Sequence, residues 1–203
     1  VGGVSRFTRP RDSRIVPWPS LYDPKLSPFL LRIDAEFAAQ ARADGCPCGG
    51  VLHRSNYPRK PRGLAPVDWS DFCSRISFCC NICRKRVTSM SVRFLGRRVY
   101  VMLAVVLAST RSVMCMPAAA QLSAYLEVPR HTLDRWRQWW LTQFPQTPLW
   151  QALGAHFMPP PDAQRFPASL LDHFAASATD PLMRLLLFLT PLTTRPIALR
   201  QGR

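Results

Sequence analysis

Acidic side chains are in short supply. The 203-residue chain sets 12 Asp and Glu against 27 Lys and Arg, a formal net charge of +15. An excess of that size goes beyond what solubility requires and calls for a polyanionic partner, nucleic acid first. Long apolar runs are also missing. The longest, residues 99–108 and 185–189, are too short to span a bilayer, and the N-terminal stretch has no apolar core of a signal peptide. The expectation is a soluble cytoplasmic protein, associated with the nucleoid, with no membrane partner. The four histidines are scattered, and no Gly-x-Ser-x-Gly elbow, phosphate-cradling glycine loop or dinucleotide fingerprint occurs. That excludes the familiar frames for nucleophilic and nucleotide-dependent catalysis and predicts a non-enzymatic protein. No internal repeat is visible.

What is present is a chain with enough apolar content, 47%, to bury a core. Its charge is unevenly placed. Residues 46–98 hold eleven basic and two acidic side chains, and the same segment holds six of the seven cysteines. An odd number of cysteines in a reducing compartment argues against a disulfide framework and leaves metal binding or simple burial.

Four regions follow from the punctuation of the chain. Residues 1–28 form a basic, proline-rich arm. Residues 29–97 comprise one helix, with Leu30, Ile33, Phe37 and Ala41 at helical spacing and Gly45 at its stop, followed by short β-prone pieces ("VLHRS", "RISFC", "VTSMSVRF") that suit small hairpins. Residues 98–147 contain a helix-turn-helix. Residues 148–203 form a helical C-terminal region in which "TPLWQALGAHF" and the proline-rich "MPPPD" precede two helices at 167–177 and 180–189. The fold class is mainly α with a small β-rich zinc ribbon.

The cysteines pair as Cys46-Pro47-Cys48 and Cys80-x-x-Cys83, with 31 residues between the pairs. Two short-spaced pairs on tight turns supply the four soft ligands of a tetrahedral Zn2+ site, and Gly49 and Gly50 permit the first turn. His53, Cys73 and Cys79 compete for a ligand position, whereas Cys115 sits in an apolar helical context and reads as structural. On a zinc-stapled frame the intervening loop can project Arg54, Tyr57, Arg59, Lys60 and Arg62, and Arg84, Lys85, Arg86 and Arg93 flank the second pair. Cations on a fixed frame meet several phosphates at once and release counterions. Tyr57 and Trp69 either stack on bases or pack over the frame, and packing is the better-founded role.

Further on, "QLSAYLEVPRHTLDRWRQWW" has the order of a helix-turn-helix. Leu122 and Leu126 anchor the first helix, 127–129 break it, Val128 seats the turn, and Leu133 and Trp136 pack the second helix inward. Arg130, His131, Asp134, Arg135 and Arg137 remain for DNA. Glu127 stands where a glycine is often found, and Trp139 and Trp140 read as core or partner-facing residues.

Together Cys46, Cys48, Cys80, Cys83, Arg84 and "LEVPRHTLDRW" resemble the N-terminal DNA-binding regions of insertion-sequence transposases and their accessory proteins, over about residues 45–140. The resemblance implies a transposition accessory or regulatory factor that recognises element ends. The residue chemistry itself gives zinc and nucleic acid: double-stranded DNA first, with an RNA-binding zinc-ribbon module of a ribonucleoprotein as the alternative. A third reading is an adaptor whose apolar "LMRLLLFLTPL" docks on a transposase or recombinase, or on a second copy in a homodimer. The resemblance stops short of a DDE-type catalytic domain: after the helix-turn-helix only Asp162, Asp172 and Asp180 remain, in a proline-broken helical tail, so strand transfer is not expected of this chain alone.

Overall fold

The computed structural model describes residues 25–63, 70–95, 101–110, 116–176 and 180–194, with backbone alone for 116–119 and 121. Residues 1–24 of the arm, Trp69 and Cys115 lie outside the described residues. The chain is mainly helical with a small antiparallel sheet.

The first helix, α1 (Leu26–Ala43), begins inside the expected arm. Pro28 sits in its first turn, where a backbone N–H has no intrahelical acceptor, so proline costs no hydrogen bond there. Gly45, at φ 73°, turns the chain out of the helix and into Cys46.

Five short strands follow: β1 (Leu52–Arg54), β2 (Tyr57–Pro58), β3 (Ser74–Arg75), β4 (Ser77–Cys80) and β5 (Arg86–Thr88). Strands β1, β4 and β5 form a three-stranded antiparallel sheet with β4 central, and β2 pairs with β3 further along the same hairpin. The register sets Leu52 opposite Cys80 and Phe78 opposite Val87. By the alternation of a pleated strand these share one face, and His53, Cys79 and Arg86 share the other. The first face packs on Ala38 of α1 and closes a small core of Leu52, Ile76, Phe78 and Cys80.

The described residues beyond β2 are tied to the helices. Val101 donates its N–H to the Arg62 carbonyl at 3.1 Å. Gly63, at φ +85°, lies so close to the helices that a Cβ there would sit 3.0 Å from Ala104 and 3.3 Å from the Trp136 ring. Phe72, Val92 and Phe94 belong to the main core rather than to the small one. The expected cysteine-stapled frame is therefore a hairpin whose described residues near Gly63 are built into the helical body. Of "VTSMSVRF" only Val87 and Thr88 lie in a strand, because Ser91 to Phe94 serve the polar network described below.

The main core surrounds α2 (Met102–Ser109), every residue of which is buried. A helix apolar on all sides has to be covered on all sides. After α3 (Met116–Tyr125) comes α4 (Arg130–Gln138), which packs on both α2 and α3 and continues through a π turn at Trp139–Gln143 and a 3-10 turn at Phe144–Gln146. Then come α5 (Pro148–Leu153), α6 (Ala168–Ala175) and α7 (Pro181–Phe188). Aromatic rings tie this end together, with Phe144 against Trp140, Trp150 and Phe166, and Phe157 against Trp150, Phe174 and Phe188. Asp162 and Asp180 cap helical turns by accepting from the Gln164 and Met183 amides, and Asp172 pairs with Arg165 at the surface. All three carboxylates thus have structural roles.

Between α3 and α4 the chain makes a tight reversal. The Val128 amide donates to the Ser123 carbonyl and the Glu127 amide to the Ala124 carbonyl, a Schellman closure with Glu127 in the left-handed conformation at φ 49°, the position that usually takes glycine. Val128 and Leu122 are both buried in the main core, as that closure favours.

A buried polar node joins these parts. Asp34 of α1 accepts from the Ser91 hydroxyl, the Val92 amide and Arg93 Nε, the last at 2.7 Å. Arg93 is 1% exposed and also donates to the Asp71 and Ser74 carbonyls. Arg93, expected among the phosphate-binding cations, is instead a core residue: its guanidinium is fully engaged by the carboxylate and carbonyls and sits near the faces of Phe72 and Phe94. Arg75 is buried beside it, donating to the Ser89 and Thr193 carbonyls, and its pKa is lowered by burial, partly countered by Asp34.

Removing the carboxylate would leave two buried guanidiniums uncompensated. Asp34→Ala is expected to cost about 3–5 kcal/mol of unfolding free energy, read from the urea midpoint, whereas an exposed control such as Arg165→Ala should stay within about 0.5 kcal/mol.

Candidate metal centre

Two tight loops face each other at the end of the sheet nearest α1. In the first, the Gly49 amide donates to the Cys46 carbonyl at 2.8 Å, and Gly49 takes φ 77°. In the second, the Arg84 amide donates to the Cys80 carbonyl at 3.2 Å, and Arg84 takes φ 58°. Each turn brings its two cysteines to the same side. The loops are joined by a reciprocal pair of bonds, Val51 N–H to Asn81 Oδ1 at 2.8 Å and Asn81 N–H to the Val51 carbonyl at 3.0 Å.

All four sulfurs, of Cys46, Cys48, Cys80 and Cys83, fall within 4.8 Å of one another. Cys46 lies 3.5 Å from Cys83, and Cys48 lies 3.4 Å from both Cys46 and Cys80. These separations are far beyond a disulfide bond and close to the roughly 3.8 Å edge of a tetrahedron of sulfurs around a metal at about 2.3 Å. Gly50 explains how the loops approach so closely, since a Cβ there would fall 2.4 Å from Cys80 Sγ. Among the described residues these four thiols form the group placed to hold a metal ion.

The competitors are elsewhere. His53 and Cys79 face each other across β1 and β4, on the side of the sheet away from Cys80, and Cys79 Sγ donates to the Arg84 carbonyl. Cys73 is exposed near the hairpin tip.

Backbone amides aim at the sulfurs and set their protonation. Cys48 is held down to about 6, first by the Gly50 amide and then by the neighbouring Cys46 thiol. Cys46 receives the Cys48 amide, which lowers it, but the surrounding thiols and burial outweigh that and push it up to about 12. At Cys80 burial opposes the thiolate, and the amides of Cys83 and Ile82 overcome it, so its pKa is lowered. Amides that favour thiolates suit a cation, since a metal takes its cysteines deprotonated.

The cations sort into three groups. Arg54, Lys60, Arg62, Arg84 and Lys85 have exposed side chains, as do Arg130, His131 and Arg135 on α4, with Arg137 half-buried. Arg59 and Arg86 lie 4.7 and 5.2 Å from the centroid of the Tyr57 ring. Arg86 also donates to the Ser55 carbonyl and the Ser77 hydroxyl, so Tyr57 packs beneath two guanidiniums. Arg93 is withdrawn from the surface. The sequence marked Gly49 and Gly50 as the turn after Cys48, but neither the close approach of Gly50 to Cys80 nor the Asn81 bridge between the loops was legible in it.

One metal ion per chain is expected by elemental analysis of protein purified without chelator. Cys80→Ser should lose it and Cys73→Ser and Cys79→Ser should keep it, while Gly50→Ala should weaken binding by about tenfold or more. Because each bound thiolate must first give up its proton, affinity should fall steadily as pH drops towards and below 6, where even Cys48 is protonated; competition with a chromophoric chelator measures this.

Chelation should release amide protection at 46–54 and 77–88, which rest on the small core and the sulfurs, and should leave Phe72 and Val92–Phe94 protected within the main core. Hydrogen exchange with and without chelator gives the readout. In comparisons with known proteins, no family model, curated protein or solved structure matches the chain.

Proposed function

We propose that the protein is a non-catalytic, zinc-containing factor that binds duplex DNA. The observation that carries this reading is the pair α3 and α4, closed by the Schellman turn at Glu127. Leu122, Leu126, Val128, Leu133 and Trp136 point inward, while Arg130, His131 and Arg135 stand exposed at the start of the second helix. A short turn that leaves a basic helix start outward is the form in which a helix-turn-helix offers its second helix to the major groove.

Zinc is the metal the donor set favours. Four thiolates at tetrahedral spacing suit zinc, or iron in a sulfur-rich site, over hard cations. The ion's role here is to hold two loops together, and the basic residues Arg84 and Lys85 lie at the second of them. A net charge of +15 supplies the non-specific attraction. The resemblance to DNA-binding regions of insertion-sequence transposases supports element ends as the target and a recombinase as the partner.

Selection from a random duplex pool, followed by competition with RNA of matched length, tests the reading. The chain should retain a duplex DNA sequence against RNA at moderate salt, and preference for RNA would overturn it. Replacing Arg130 and Arg135 by alanine should relax discrimination, each lost base contact costing about 1–3 kcal/mol on the selected sequence and little on a random one. Equal losses on both would reduce α4 to a backbone contact.

A further inference from the structure

Along the chain, the hairpin tip and α4 are far apart and read as separate nucleic-acid elements, but the fold packs one against the other. A Cβ at Gly63 would sit 3.0 Å from Ala104 and 3.3 Å from the Trp136 ring, a tight contact, and the Arg62 carbonyl is tied to the Val101 amide at the start of α2. From 60 to 63 the residues alternate exposed, buried, exposed, buried. Lys60 and Arg62 are thus the outward residues of this stretch, and Pro61 and Gly63 are buried. Trp136 adjoins Arg135, which is exposed on α4.

We infer that Lys60 and Arg62 of the hairpin tip and Arg130 and Arg135 of α4 form one composite face that grips a single DNA duplex, with the helix in the major groove and the tip on the bordering phosphates. This rests on the duplex-binding reading above and deepens it. A helix about 10–12 Å across fills a major groove about 12 Å wide. A loop packed at the flank of such a helix therefore meets the phosphate row that borders the groove. The tip is backbone-tethered to the helical body, so its cations are presented with little ordering cost. The same duplex turn then carries both the sequence-reading and the charge-neutralising contacts.

The test uses the full chain and a fluorescent duplex of about 12 base pairs bearing the selected sequence, little more than one helical turn. One duplex should bind per chain. Lys60→Ala with Arg62→Ala should lower the salt slope by about 1.8 on this short duplex, which weakens binding near 0.1 M salt by about 60-fold relative to 1 M. Arg130→Ala with Arg135→Ala should weaken binding to the same duplex. These are exposed side chains, and circular dichroism checks that both variants keep the fold. Two short duplexes per chain, or an unchanged slope in the Lys60 and Arg62 variant, would overturn the composite face while leaving duplex binding intact. Failure of the unaltered chain to bind any duplex would instead remove the duplex reading itself.

Discussion

The contact between Asp34 and Arg93 is the constraint on which the arrangement of the parts depends. One carboxylate on α1 accepts from a hydroxyl, an amide and a guanidinium, and that guanidinium in turn binds carbonyls at Asp71 and Ser74. A charge buried this deeply is tolerated only when its partners are in place. The node therefore demands that α1, the far half of the hairpin and the segment before α2 assemble together, and Arg75 extends the demand to Thr193 near the other end of the chain. Neither group could be satisfied by any one of these pieces alone.

This arrangement divides the ribbon into two halves with different supports. The half near the cysteines has a small core of its own and the four sulfurs, and the half near the tip shares the main core through Phe72, Val92 and Phe94. A metal at the sulfurs would thus stabilise one end of a hairpin whose other end is already anchored. Its contribution is local, unlike that in a small domain whose whole fold depends on the ion.

The cationic residues show why local charge is a poor guide to function. Arg84, Lys85, Arg86 and Arg93 follow one another closely in sequence, yet Arg84 holds a left-handed turn, Arg86 is bound to Ser55 and Ser77, and Arg93 is buried. Arginine suits a buried post such as Arg93 because its planar guanidinium satisfies several acceptors at once, whereas the Arg84 and Arg86 side chains stay exposed. Lys60 and Arg62, by contrast, are carried outward by the alternation of the tip.

The sequence by itself determined the elements whose causes are local. Apolar spacing and proline punctuation located α1, α3, α4, α6 and α7 within a few residues, and the two short cysteine pairs identified the four thiols that come together. The inward residues of the α3 and α4 pair were legible too, because helical period alone decides which side chains share a face. Tertiary structure decided the rest. Asp34 interrupts the apolar face of α1, and nothing nearby in sequence says that Arg93, 59 positions away, is its partner. The burial of the hairpin tip against Trp136, the exclusion of Cys79 and His53 from the sulfur cluster and the withdrawal of Arg93 follow from strand register and long-range packing. Those depend on which distant surfaces meet, a matter that no short window of residues encodes.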